Sequence, residues 1–271
     1  MLAPVAGVAL LLELAVGTLT VSVVLDILGR VGRGFAGTTA LICAGVMVVV
    51  LLLAIALPPA PHLLNGAISS GALSSFVHWC LVFGGVLLVD ALFSVVGTER
   101  ARRVVGAATI ACGGTALGKL VVAFGPALGG SFAVAVAVVP STLLAGSALA
   151  GMLLGHWYLV SPALSFRPLR QASYTVLTAV AVQATAVAVV VVTAAPPARD
   201  ALVSTTYALP FWGLVVGAGI VFTTAVTLLT LYFARIRANQ PATAMLYALI
   251  ISVVMGIVPG HLLFFLTGAP V

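Results

Sequence analysis

Charge is nearly absent from this sequence. Eleven basic and five acidic residues are all that its 271 residues carry, 6% of the chain, against roughly 25% in soluble domains. Too few charges remain to cover the surface of a soluble fold. A cytosolic globular enzyme and a solvated disordered chain are therefore excluded. Cysteine is scarce too. Cys43, Cys80 and Cys112 each lie inside an apolar run, and none forms a C-x-x-C pair. A cysteine-ligated iron–sulfur cluster needs about four clustered thiolates, so this chain alone carries no iron–sulfur cluster. The three read as small buried hydrophobes. Signatures of soluble catalysis are missing as well: no G-x-S-x-G, no Walker lysine, no aspartate-rich prenyl diphosphate motif and no H-E-x-x-H. An enzyme acting alone is the least supported class.

Hydrophobicity is what the chain has in abundance: 63% of the residues, at a mean hydropathy of +1.32. A membrane span needs about 20 mainly apolar residues. Eight runs qualify, at 3–29, 37–57, 72–97, 104–125, 131–160, 172–196, 207–233 and 241–267. They are continuous, whereas a membrane barrel alternates polar and apolar residues in segments of about ten. The expected fold is all-α: one integral membrane domain, 1–271, of eight transmembrane helices, in contact with the lipid bilayer.

The net charge of +6 raises the question of a nucleic-acid partner, and position answers it. Nine of the eleven basic residues fall in four clusters between the runs: Arg30/Arg33, Arg100/Arg102/Arg103, Arg167/Arg170 and Arg235/Arg237. These follow spans 1, 3, 5 and 7. The other loops hold proline, glycine and asparagine, with Arg199, Asp200 and His62 as their titratable groups. The positive-inside rule makes the arginine-bearing loops cytoplasmic and puts both termini outside an inner, cytoplasmic membrane. No nucleic-acid role is implied. The first run has no basic n-region and exceeds the 7–15 residues of a signal-peptide core, so it reads as a retained span.

Gly114-x3-Gly118, Gly151-x3-Gly155 and Gly213-x3-Gly217 fit close helix crossings. An internal repeat is also visible. With Trp79 set on Trp212, Leu81, Val82 and Gly84 meet Leu214, Val215 and Gly217, and Arg102 meets Arg235. After a shift in the next loop, Gly118-Lys119-Leu120 meets Gly260-His261-Leu262. The expected halves, 1–127 and 128–271, would each hold four spans in parallel orientation, as in some transporters.

Ionisable groups inside lipid cost at least about 2.5–3.5 kcal/mol each, so each is a candidate site. The outer group comprises Glu13 in span 1, His78 and Trp79 in span 3, Lys119 in span 4 and His261 in span 8; Gln183 lies midway along span 6. Three uses compete. A quinol pocket needs a proton acceptor, a second hydrogen-bonding group and apolar walls, which His261 or His78 with Glu13, Lys119, Trp79 and Gln183 supply. One haem b needs two axial histidines, and only His78 and His261 lie at a suitable depth. A structural use pairs Glu13 with Lys119. Pro259 is expected to kink span 8 beside His261 and to free the carbonyl near residue 255. The inner group is Asp26, Asp90 and His156. Asp26 precedes Arg30 by four residues, and loop arginines are the expected partners of both carboxylates. An inner ion site is the alternative. Thirteen residues turn a helix by about 220°, so Glu13 and Asp26 do not share one face.

The ending MGIVPGHLLFFLTGAPV resembles the last span of the membrane anchors of polysulfide and dimethyl sulfoxide reductases. It has Gly260-His261 where that group carries an acidic residue and an arginine. The resemblance covers about 17 residues and the helix count. It implies a quinol-reactive subunit of a respiratory or other redox complex, with electrons passing to a partner subunit. No residue role is carried over. The readings from the residues are thus a redox membrane subunit binding quinol or one haem, a proton- or cation-coupled transporter, and a structural or assembly subunit without a site. The topology has a direct check: a reporter fused after Val271 is active as an exported phosphatase and dark as a cytoplasmic fluorescent protein.

Overall fold

The computed structural model describes residues 2–29, 31–57, 59, 63, 67–161 and 164–271. Arg30 and His62 lie outside them. The chain folds into α1 (Leu2–Gly29), α2 (Arg33–Ile55), α3 (Ser70–Val96), α4 (Glu99–Phe124), α5 (Ser131–Val160), α6 (Arg167–Thr193), a short α7 (Pro196–Leu202), α8 (Leu209–Arg235) and α9 (Asn239–Thr267). All but α7 are long and apolar enough to cross a membrane, eight in number among the described residues, and no strand is present among them. The protein is an all-α polytopic membrane protein. Large apolar side chains such as Leu52, Ile55, Leu92, Val96, Val192 and Leu209 stand exposed on its outer faces, which suits hydrocarbon rather than water.

Helices are the economical solution because hydrocarbon offers no hydrogen-bond partner to a bare backbone. The hydroxyls follow the same logic. Thr109, Thr142, Ser173, Thr227 and Thr230 each donate to the carbonyl four residues back, at 2.6–3.0 Å. Helix starts depend on local chemistry. Thr98 accepts from the Ala101 amide at 3.2 Å and caps α4. The cap starts the helix five residues before the apolar run does. Arg102 is thereby carried on a helix rather than in a loop, and its direction is set.

The two halves repeat one contact pattern. In the first, α1 packs on α2, α2 on α3, α3 on α4, and α4 returns to α1. In the second, α5, α6, α8 and α9 close the same ring. Between the halves α1 lies along α5; α1 also meets α9 and α6, while α5 meets α4 and α2. Exchanging α1–α4 with α5, α6, α8 and α9 leaves this set of neighbours unchanged. At the α1–α5 crossing Gly17 and Gly146 face each other with no room for a side chain: a Cβ on either would enter the other helix's backbone.

Of the three glycine pairs read from spacing, one packs as expected. Gly151 and Gly155 face Leu246 and Thr243 of α9. Gly114 and Gly118 meet nothing and are exposed to the outside. Gly213 and Gly217 touch only their own helix, at Leu209 and Trp212. The close approach in the last pair of spans is Gly219 against Gly256. There α8 is unusual: from Leu209 to Phe222 it winds as a wide π-helix before tightening at Thr223. Thr223 Oγ1 reaches the Ala218 carbonyl, five residues back, at 3.0 Å and lies 2.9 Å from Ser252 Oγ. α9 continues as one helix through Pro259. α5 likewise carries Pro140 within its length.

Gly146→Val is expected to cost about 3 kcal/mol or more, because the overpacked atoms are backbone and cannot swing aside. Gly114→Val, on the outer face, leaves the unfolding midpoint of detergent-solubilised protein unchanged. Equal midpoints for the two variants contradict the crossing described here.

Candidate functional site

α1 places Glu13 one turn before its glycine crossing, where the helix is enclosed on every side. Glu13 is fully buried and His261 is 4% exposed. One hydrogen bond joins His261 Nε2 to Glu13 Oε1 at 2.7 Å. This is the only link of its kind between the halves among the described residues, and it joins positions 248 residues apart in sequence. The second carboxylate oxygen, Oε2, is buried without a partner.

A proton held in this bond can sit on either atom. The pair is then a neutral acid beside a neutral imidazole, or a carboxylate beside an imidazolium, and its net charge is zero in both. Taking the proton away, or adding a second, leaves a net charge in a medium that solvates it poorly. A pair that holds one proton is therefore the neutral form, which suits so dry an interior.

Beside the pair lies a cavity of about 10 Å³ lined by Ser141, Gln183, Gly219, Gly256, Gly260 and His261, among others, the size that holds one water. Gln183 Oε1 is buried without a partner. Gly260 is required by a close approach, since a Cβ there would stand 2.9 Å from the Val271 carbonyl. A second, apolar cavity of about 20 Å³ touches His261 from the Phe124, Phe264 and Phe265 side.

At the arginine-bearing end, α1, α3 and α4 bring Asp26 and Asp90 to one cavity with Ser22, Ser94, Arg102 and Arg103. Arg102 Nη2 bonds Asp26 Oδ2 at 2.9 Å, and the Gly32 amide donates to Asp26 Oδ1 at 3.3 Å. The partner of Asp26 is thus Arg102 of α4. Arg30, the partner expected from spacing, is outside the described residues.

The remaining candidates fall elsewhere. His78 is exposed on α3, its ring edge-on to the neighbouring Trp79 at 6.4 Å between centroids. α3 packs between α2 and α4, whereas α9 packs between α5 and α8. His78 and His261 therefore do not form a pair. A haem between them does not fit: one nitrogen of His261 is engaged by Glu13, and the cavities at His261 are water-sized. Lys119 is half-buried and has no ion pair or hydrogen bond among the described residues; Glu13 is joined to His261 instead. Trp79 packs against the core of the first half. His156 does not join Asp26 and Asp90; it is exposed, 3.1 Å from the Tyr247 hydroxyl. No group of three or more metal-ligating side chains is present among the described residues.

Sequence reasoning missed Ser22 and Ser141, which line these cavities. Hydroxyls in an apolar run normally bond their own helix, as Ser141 does here, so nothing in the sequence sets the two apart. Fold and site together define a polytopic helical membrane protein with a buried carboxylate–imidazole pair at the seam of two four-helix halves. Comparison with family models, curated proteins and solved structures returns no match for this chain.

His261→Ala strands the Glu13 carboxyl and is expected to cost about 3–5 kcal/mol. Glu13→Leu combined with His261→Leu recovers most of that loss in thermal unfolding. A double variant as unstable as the sum of the single ones contradicts direct coupling.

Proposed function

We propose that this protein carries protons through the membrane, with Glu13 and His261 as the exchanging pair. The observation that carries the reading is the fully buried 2.7 Å bond between them. Intramembrane ionisable groups are expensive and mark ion and proton routes. Imidazole is the side chain whose ordinary titration range lies nearest neutral pH. A purely structural bond across the seam is made more cheaply by a serine or an asparagine. Glu13 Oε2 within the pair is unpartnered, as is Gln183 Oε1, and Gln183 lines the water-sized cavity that His261 also lines, where a single water can receive or deliver a proton. By the positive-inside rule the pair faces the outer half of the membrane.

A second reading, a quinol-reactive subunit of a larger redox complex, uses the same pair as the proton acceptor. The C-terminal resemblance supports it, and so does the apolar groove of about 600 Å³ between α5 and α6 past Pro140 and Val182, which suits an isoprenoid tail. A ring at His261 requires the seam to open. The cavities there are about 10 and 20 Å³, against roughly 300 Å³ or more for ordinary small-molecule sites. Closed geometry thus favours proton transfer over quinol chemistry.

Purified protein in phospholipid vesicles, with a trapped pH-sensitive dye and a potassium diffusion potential, is expected to pass protons faster than empty vesicles. Glu13→Gln lowers the rate at least about tenfold. Flux equal to that of empty vesicles sinks the proposal. A quinone recovered at one equivalent in the lipid extract, with no flux, favours the second reading.

A further inference from the structure

Two buried hydroxyls depart from the rule the other spans obey. Thr18 Oγ1 and Ser22 Oγ have no hydrogen-bond partner, although Thr18 is fully buried and Ser22 is 3% exposed. Thr20, between them on the same helix, bonds the Val16 carbonyl at 2.7 Å in the ordinary way. Thr18, Ser22 and Asp26 are spaced by four residues, so they form one stripe of α1 with steps of about 6 Å. Ser22 and Asp26 both line the cavity at the arginine-bearing end.

The cavity is lined by two carboxylates and two guanidiniums, but they are not evenly paired. Asp26 and Arg102 neutralise each other at 2.9 Å. Arg103 is half exposed and lies 4.0 Å from Glu99. Asp90 is 3% exposed and takes part in no ion pair among the described residues. The groups that face it are Asp26 from α1, Arg102 and Arg103 from α4, and Ser94 one turn further along α3; Cys43 of α2 is the other titratable group within Coulombic reach. An unpaired ionised carboxylate in so dry a place is very costly. A proton on Asp90 removes the cost, and the cavity of about 20 Å³ holds a water to bring it.

We propose that Asp90 is the proton acceptor at the arginine-bearing end of a path that descends α1 from Glu13 through Thr18 and Ser22. The Asp26–Arg102 pair stands beside it as a fixed counter-charge. This rests on the reading of Glu13–His261 as a proton-exchanging pair and extends it from one half of the membrane to both. From Glu13 to Asp26 the helix rises about 20 Å, some two-thirds of a hydrocarbon core of about 30 Å. The 220° turn between those residues does not interrupt the path: from Glu13 to Ser22 every residue of α1 is buried or half-buried against its neighbours α2, α4, α5, α6 and α9, and Ser22 and Asp26 then share a buried face, away from the exposed Val24, Ile27 and Leu28. The hydroxyls pass a proton without holding charge: each accepts on its lone pair and donates its own hydrogen onward, and the cavity that Ser22 and Asp90 both line has room for a water to close the last gap.

The test uses the full chain in vesicles and, separately, in detergent. Asp90→Asn and the pair Thr18→Val/Ser22→Ala are each expected to lower proton flux at least tenfold, while Asp90→Glu retains most of it and Asp200→Asn, on exposed α7, retains all. Flux unchanged in Asp90→Asn overturns the proposal. Infrared pH-difference spectra read Asp90 without any flux. Loss of a protonated-carboxyl carbonyl band in Asp90→Asn supports the assignment, and an unchanged band overturns it. Vesicles that pass no protons even with the wild-type protein defeat the function proposed for Glu13–His261, and the infrared result then decides Asp90 by itself.

Discussion

Hydrocarbon supplies no hydrogen-bond partner, and each polar atom of this chain inside the bilayer must find one within the protein. That constraint orders the structure. It makes the backbone helical and turns threonine hydroxyls back onto their own carbonyls. It also forces every carboxylate in a span toward the interior. α1 bears the consequence most fully. It carries Glu13 and Asp26, so it has to be enclosed, and the contact of Gly17 with Gly146 brings α5 close enough to enclose it.

The two ionic features of α1 differ in kind. Asp26 meets a guanidinium, which keeps its charge at any ordinary pH. The Asp26–Arg102 pair is therefore a fixed dipole near the membrane surface. Glu13 meets an imidazole, which gives up or takes a proton readily. The same helix thus meets a guanidinium at one depth and an imidazole at another. Buried ion pairs add little net stability over a well-packed apolar core, so fold stability alone does not account for the exchangeable pair. The water-sized cavities beside both pairs and the partnerless oxygens of Glu13, Thr18, Ser22 and Gln183 lie along this helix or against it. Polar atoms left unsatisfied in a dry interior are costly. Three of them, on Glu13, Thr18 and Ser22, fall within ten residues of one helix, and that cluster is the pattern on which the proton reading rests.

The shared contact pattern sharpens the contrast between the halves. The sequence alignment sets Lys119 opposite His261, and α4 meets α5 as α9 meets α1. Yet Glu13 has its partner in the second half only, and Lys119 is left half-buried without one among the described residues. The contact pattern is shared between the halves, while the chemistry is concentrated on α1.

Much of the architecture was legible in the amino-acid order. Run length and scarcity of charge specify eight apolar helices, because crossing about 30 Å of hydrocarbon takes about 20 apolar residues in any sequence. Glu13, His261, Asp26, Asp90 and Gln183 stand out one by one, since a polar group in such a run is costly wherever it points. Their pairing was not legible. Glu13 was set against Lys119 by charge, and Asp26 against Arg30 by spacing. Helix rotation and neighbour choice decide pairing, and both depend on which small residues let which backbones approach. Gly17 and Gly146 do so, whereas Gly114 and Gly118, with the more familiar spacing, face outward. The thirteen-residue separation of Glu13 and Asp26 puts them on different faces of α1, and the fold buries both, because different neighbours cover the helix at the two depths. Sequence alone determined that these groups lie within the membrane; only the tertiary structure decided which of them meet, because contact between helices is settled by packing and leaves no local mark on the chain.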